Sequence, residues 1–83
     1  MADLGFIVWE DGQRGRNDAV RVEATSASEA ARHWYRWWRK QRCDTTAPVN
    51  VIVEELRSGL RARWSLHVVD PIVATLQGEV PRG

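Results

Sequence analysis

Residues 26–42 read SASEAARHWYRWWRKQR, and this stretch decides the architecture. Ser26-Ala-Ser-Glu29 fits a capping box, in which the Ser26 hydroxyl accepts from the Glu29 backbone and the Glu29 carboxylate reaches back to the cap. Apolar residues then recur at helical spacing, which predicts a helix over about 27–41. At about 3.6 residues per turn, Ala27, Ala30, Ala31, Trp34 and Trp38 share one face. Arg32, Arg36, Arg39 and Lys40 fall opposite with His33 beside them, and Tyr35 and Trp37 lie on the two flanks. The small residues at the start allow close approach to a sheet, and the Trp pair fills the wider end.

On the N-terminal side, Leu4–Glu10 (LGFIVWE) is rich in β-branched and aromatic residues and reads as a strand. Asp11-Gly12 opens a polar loop that carries Arg14 and Arg16. Ala19–Ala24 alternates, with Val20, Val22 and Ala24 on one face and Arg21 and Glu23 on the other, as in a half-buried strand. Two faces of the first strand compete for the core: Phe6 with Val8, or Ile7 with Trp9.

On the C-terminal side, Asp44–Pro48 loops back and Val49–Leu56 reads as a third strand. Ser58-Gly59 reads as a two-residue turn into a fourth strand over Leu60–Val69. That turn pairs Glu54 with Arg63, Val53 with Trp64, Val51 with Leu66 and Val49 with Val68. An apolar layer then occupies one face, and Glu54, Arg61, Arg63, Ser65 and His67 the other. Asp70-Pro71 interrupts the run. Ile72–Leu76 is a short fifth strand, a segment along the sheet edge, or a cover over the outer face. Residues 77–83 are expected to be a frayed tail. The order ββαββ(β) predicts an α+β fold: a single antiparallel sheet of four to five strands with one helix packed across one face. The 83 residues form one domain with an ordered core over about 4–76.

Composition narrows the chemistry. A net charge of +1 argues against a generic polyanion binder, yet Arg32–Arg42 holds five positive charges and no acid. Arg outnumbers Lys eleven to one, and Arg suits bidentate pairing with carboxylates or phosphates. The single Cys excludes an internal disulfide and a Cys-based zinc site. No apolar run is long enough to cross a membrane, and Met-Ala-Asp is no signal-peptide start, so the expectation is a cytoplasmic protein of a bacterial host. Enzyme motifs such as GxGxxG, the P-loop, HExxH and GxSxG are absent. His33 and His67 lie on different elements, and Cys43 reads as a small residue at the helix end. Neither catalysis nor any cofactor or metal is expected.

Two surfaces remain as binding candidates. The first is the helix face: Arg32, Arg36, Arg39 and Lys40, edged by Tyr35 and Trp37. The second is the outer sheet face, with Arg61 and Arg63 around an apolar centre that includes Ile52 and Leu56. A charged rim around an apolar centre has interface composition, for a homodimer or another partner.

The run Val22-Glu23-Ala24-Thr25-Ser26 through Glu29-Ala30-Ala31 joins a strand to a capped, Ala-rich helix. With FIVWED before it and VNVIVEELRSGLRARWSLHVV after it, the chain resembles small phage-encoded anti-CRISPR proteins that block type I surveillance complexes. The resemblance implies a stoichiometric inhibitor that binds a host nucleic-acid-handling complex, such as a CRISPR surveillance complex or a nuclease, without catalysis. The alternative is a nucleic-acid-binding module in which the Arg strip holds phosphates and Tyr35 or Trp37 stacks on bases.

Overall fold

The computed structural model describes residues 4–12, 19–43, 47–68 and 72–80. The expected loop arginines Arg14 and Arg16 lie outside them. The elements run β1 (Leu4–Glu10), β2 (Val20–Ala24), α1 (Ala27–Gln41), β3 (Val49–Glu55), β4 (Arg61–Val68) and β5 (Ile72–Val80). They build one five-stranded sheet in the order β2-β1-β3-β4-β5, antiparallel throughout, with α1 packed on one face. The expected α+β architecture is the observed one.

β2 and β3 both run antiparallel to β1, so they are parallel to each other with β1 between them. A parallel connection needs a crossover, and α1 supplies it. The helix therefore spans the sheet and touches every strand. Its buried residues are Ala30, Ala31, Trp34, Tyr35 and Trp38. They meet Phe6 and Val8 of β1, Ala24 of β2, Val49, Val51 and Val53 of β3 and Leu66 of β4. This resolves the choice in β1 in favour of Phe6 and Val8. The Trp34 and Trp38 rings stack with centroids 5.9 Å apart, and Tyr35 stacks on Trp38 at 5.6 Å. The helix starts as read, with the Glu29 N–H donating to Ser26 Oγ at 3.3 Å. The Glu29 carboxylate accepts from the Thr25 hydroxyl, the neighbour of the cap. At the other end, Cys43 takes the left-handed conformation (φ 55°) that commonly ends a helix.

Two expectations need correction. The β3–β4 hairpin turns through four residues, Leu56–Gly59, closed by the Glu55 N–H donating to the Leu60 carbonyl at 2.9 Å. Gly59 adopts φ +75°, a conformation that suits glycine. The register is therefore Glu54 with Arg61, Val53 with Ala62, Val51 with Trp64 and Val49 with Leu66. This is two residues from the expected pairing. An even slip leaves every side chain on its face, so the hydrophobic pattern cannot distinguish the two registers. The second correction concerns the C-terminus. β5 continues to Val80 and pairs Gly78, Glu79 and Val80 with Arg63, Ala62 and Arg61, past an irregularity at Arg63/Trp64. Residues 77–80 are thus strand, and β5 lies in the sheet plane instead of folding over the outer face.

Candidate functional site: the basic helix face

Sequence spacing puts His33, Arg36, Trp37, Lys40 and Gln41 on the solvent side of α1, and all five are exposed. Arg32 and Arg39 are half-buried at the margin on the Tyr35 side. The basic strip is therefore narrower than its residue count suggests, centred on Arg36 and Lys40 with Trp37 alongside. Trp37 is 46% exposed, whereas Trp9, Trp34 and Trp38 are buried and Trp64 is partly so. Its ring leans on Trp34, with centroids 6.3 Å apart, so the exposed indole is braced from beneath.

Within the helix, acidic residues are confined to its start. Glu29 faces His33 across one turn at 3.4 Å. Its carboxyl is held below the ordinary range chiefly by the Thr25 hydroxyl, with His33 and Arg32 adding to the effect. No Asp or Glu follows Glu29 in the helix, so Arg36 and Lys40 have no acid one turn away on their own element. Arg42 caps the far end, its guanidinium 4.5 Å from the centroid of the Trp38 ring.

Tyr35 departs from its expected place. It is fully buried (0% exposed), and its hydroxyl donates to the Ala47 carbonyl at 2.7 Å. Burial pushes its hydroxyl above the ordinary phenol range, against a smaller opposite pull from Arg39. Tyr35 anchors the chain after the helix to the core and is not part of the exposed basic face. Its acceptor lies twelve residues away in a non-repetitive segment, where no sequence spacing points to it.

The outer sheet face also differs from expectation. Its apolar centre is largely covered, with Ile52 3% and Trp9 8% exposed, while Leu56 in the hairpin loop is 38% exposed. Arg61 lies over the Trp9 ring, 5.6 Å from its centroid, and Nε donates to Glu54 Oε1 at 2.5 Å. Arg63 Nε is 2.8 Å from Asp11 Oδ2. Both arginines proposed as partner contacts are thus engaged within the fold. They act as a lid of paired charges over a small second apolar layer, with stems that cover apolar surface. A four-residue loop with glycine last would have signalled this Glu54–Arg61 pairing.

The observed register also sets Ser65 apart from Glu54 on this face. Ser65 sits opposite Asn50, four residues along β3 from Glu54. At about 3.3 Å per residue that is roughly 13 Å. Glu54 is already bonded to Arg61. Among the described residues no group of three or more His, Cys, Asp or Glu could hold a metal ion, and no helix is long and apolar enough to cross a membrane.

No protein-family model, curated protein or solved structure matches this chain.

Proposed function

We propose that this is a non-catalytic binding protein that engages its partner through the Arg36, Trp37 and Lys40 face of α1. In this reading it is a stoichiometric inhibitor of a bacterial nucleic-acid-handling protein complex, as the resemblance to anti-CRISPR proteins implies. The observation that carries the reading is Trp37, a half-exposed indole set among cations on a rigid helix. An indole buries about 150–250 Å² when covered. Covering the exposed half, about 100 Å² at about 25 cal/mol per Å², contributes about 2–3 kcal/mol. That is the size of an interface hot spot, and Trp and Arg are the residue types most often found there. The flanking cations select a partner surface of negative charge and speed encounter with it. Arg32 and Arg39 stand at the margin of the contact. Arg61 and Arg63 support the sheet that carries the helix. A homodimer through the outer sheet face has less to draw on, because Trp9 and Ile52 are already covered.

The test is co-elution with a purified type I surveillance complex on size exclusion, together with inhibition of its target cleavage. The intact chain is expected to do both. The Arg36→Glu/Lys40→Glu variant is expected to do neither while keeping its circular dichroism spectrum. A chain that neither binds nor inhibits candidate complexes removes the basis of the proposal.

Nucleic acid is the second reading, favoured by the same indole, which could stack on a base between two phosphate contacts. Two phosphate contacts predict a log–log salt slope of about −1.4 on single strands. Single-strand binding without that slope, or no binding at low salt, rejects it. Tyr35 takes no part in either reading, being buried.

A further inference from the structure

The helix side of the sheet is not sealed where α1 begins. Beside Ala27 lies a cavity of about 240 Å³, lined by Phe6, Val53, Leu60, Ala62, Trp64 and Leu76. Leu60 and Leu76 are well exposed at 61% and 56%, an unusual state for leucines beside a core. Two carboxylates, Glu55 and Glu79, also border the cavity. The register explains why. Glu55 sits opposite Phe6 and Glu79 opposite Ala62, so both project to the helix side with the apolar lining. Neither carboxylate has a hydrogen-bonding or ion-pair partner among the described residues. Arg61 borders the same space, but its guanidinium is bonded to Glu54 on the opposite face. The helix N-terminus brings about half a positive charge, partly offset by Glu29 in the first turn, against two full negative charges. The cavity is thus apolar inside and anionic at its edge.

We propose that this cavity binds a small organic cation with an apolar body: a primary amine on a short alkyl or aryl stem. The stem lies among Phe6, Trp64 and Leu76, and the ammonium sits between Glu55 and Glu79. A cavity of about 150 Å³ holds benzene, so this one holds a stem of about six to eight carbons. Aromatic faces in the lining favour a cation over a neutral head group. The site lies at the start of α1, away from the Arg36, Trp37 and Lys40 face, and stands independently of the function proposed for that face.

The experiment is a nitrogen–proton correlation NMR titration of the full chain with n-hexylamine, n-hexanol and hexanoate. Hexylamine is expected to shift the amides of Val53–Glu55, Ala62–Trp64 and Leu76–Glu79 saturably. Hexanol should bind about tenfold more weakly, and hexanoate should not saturate. Glu55→Gln/Glu79→Gln should weaken hexylamine about tenfold and leave hexanol unchanged, with the dispersion of the spectrum confirming the fold. The proposal is overturned if hexylamine gives no saturable shift, if its shifts fall elsewhere, or if hexanol or hexanoate binds as tightly. It is equally overturned if the double variant keeps full affinity for the amine. The comparison of the three probes uses the unaltered chain, so it decides the matter even if the variant does not fold.

Discussion

Tyr35 and Trp37 stand two positions apart on α1 and have opposite roles. Tyr35 is fully buried and hydrogen-bonded to Ala47, and Trp37 is half exposed. Tyr35→Phe keeps the ring stacked on Trp38 but leaves the Ala47 carbonyl without its donor, so it should cost about 1 kcal/mol in denaturant unfolding. Trp37→Ala strips the half of the indole that rests on Trp34, so it should cost about 1–2 kcal/mol while the fold is kept. Tyr35 also has a pH signature. Its folded pKa is raised, so the stability it contributes is fully present below the unfolded value of about 10 and is lost as pH rises through the folded value. It is the only tyrosine, so absorbance titration reads it alone. The midpoint should lie above that of the unfolded chain, and equal midpoints would contradict the burial.

At the scale of elements, the β3–β4 hairpin shows what is legible in the sequence. Alternation in VNVIVEE and RARWSLHV specified both strands and their inner faces, because burial on one side imposes a period of two. The capping box and the Ala–Trp stripe likewise specified the helix and most of its buried face. The register was not legible. Two registers a pair apart bury the same residues, and the choice falls to the loop, where Gly59 takes positive φ but Ser58 does not, whereas a two-residue type I′ turn needs it at both. That choice decides which arginine meets Glu54, and so which groups form the lid over Trp9. The candidate site was legible as a strip of cations, but the split between Tyr35 and Trp37 was not. Both sit on the flanks of a helical wheel, and only the position of Ala47 separates them. The observed register predicts that Arg61→Ala destabilises the protein by about 1–3 kcal/mol, because it strips an ion-pair partner from the buried Glu54. Arg63→Ala removes a more exposed pair and should cost less than about 1 kcal/mol. Urea unfolding of the two variants checks this, and the reverse ranking would restore the Glu54–Arg63 pairing.

For the whole molecule, β5 closes one edge of the sheet and extends farther than its composition suggested. Thr75, Gln77, Gly78 and Glu79 dilute its apolar pattern, so residues 77–80 resemble a tail. Their ladder to Arg61–Arg63 makes them part of the fold. Deleting residues 77–83 should lower the melting temperature by several degrees, since about 1 kcal/mol corresponds to about 4–8 °C in a domain of this size. An unchanged melting temperature would mark the segment as a tail.

The molecule thus has two layers with different tasks. The sheet carries a charged lid over Trp9, and the helix presents cations and a half-exposed indole to solvent. The most direct test of that division is the affinity of a type I surveillance complex for the intact chain, for Arg36→Glu/Lys40→Glu and for Trp37→Ala. The account predicts tight binding by the intact chain and losses of more than tenfold in both variants, with the fold of each retained by circular dichroism. Equal affinity across the three proteins, or no binding by the intact chain, would contradict it.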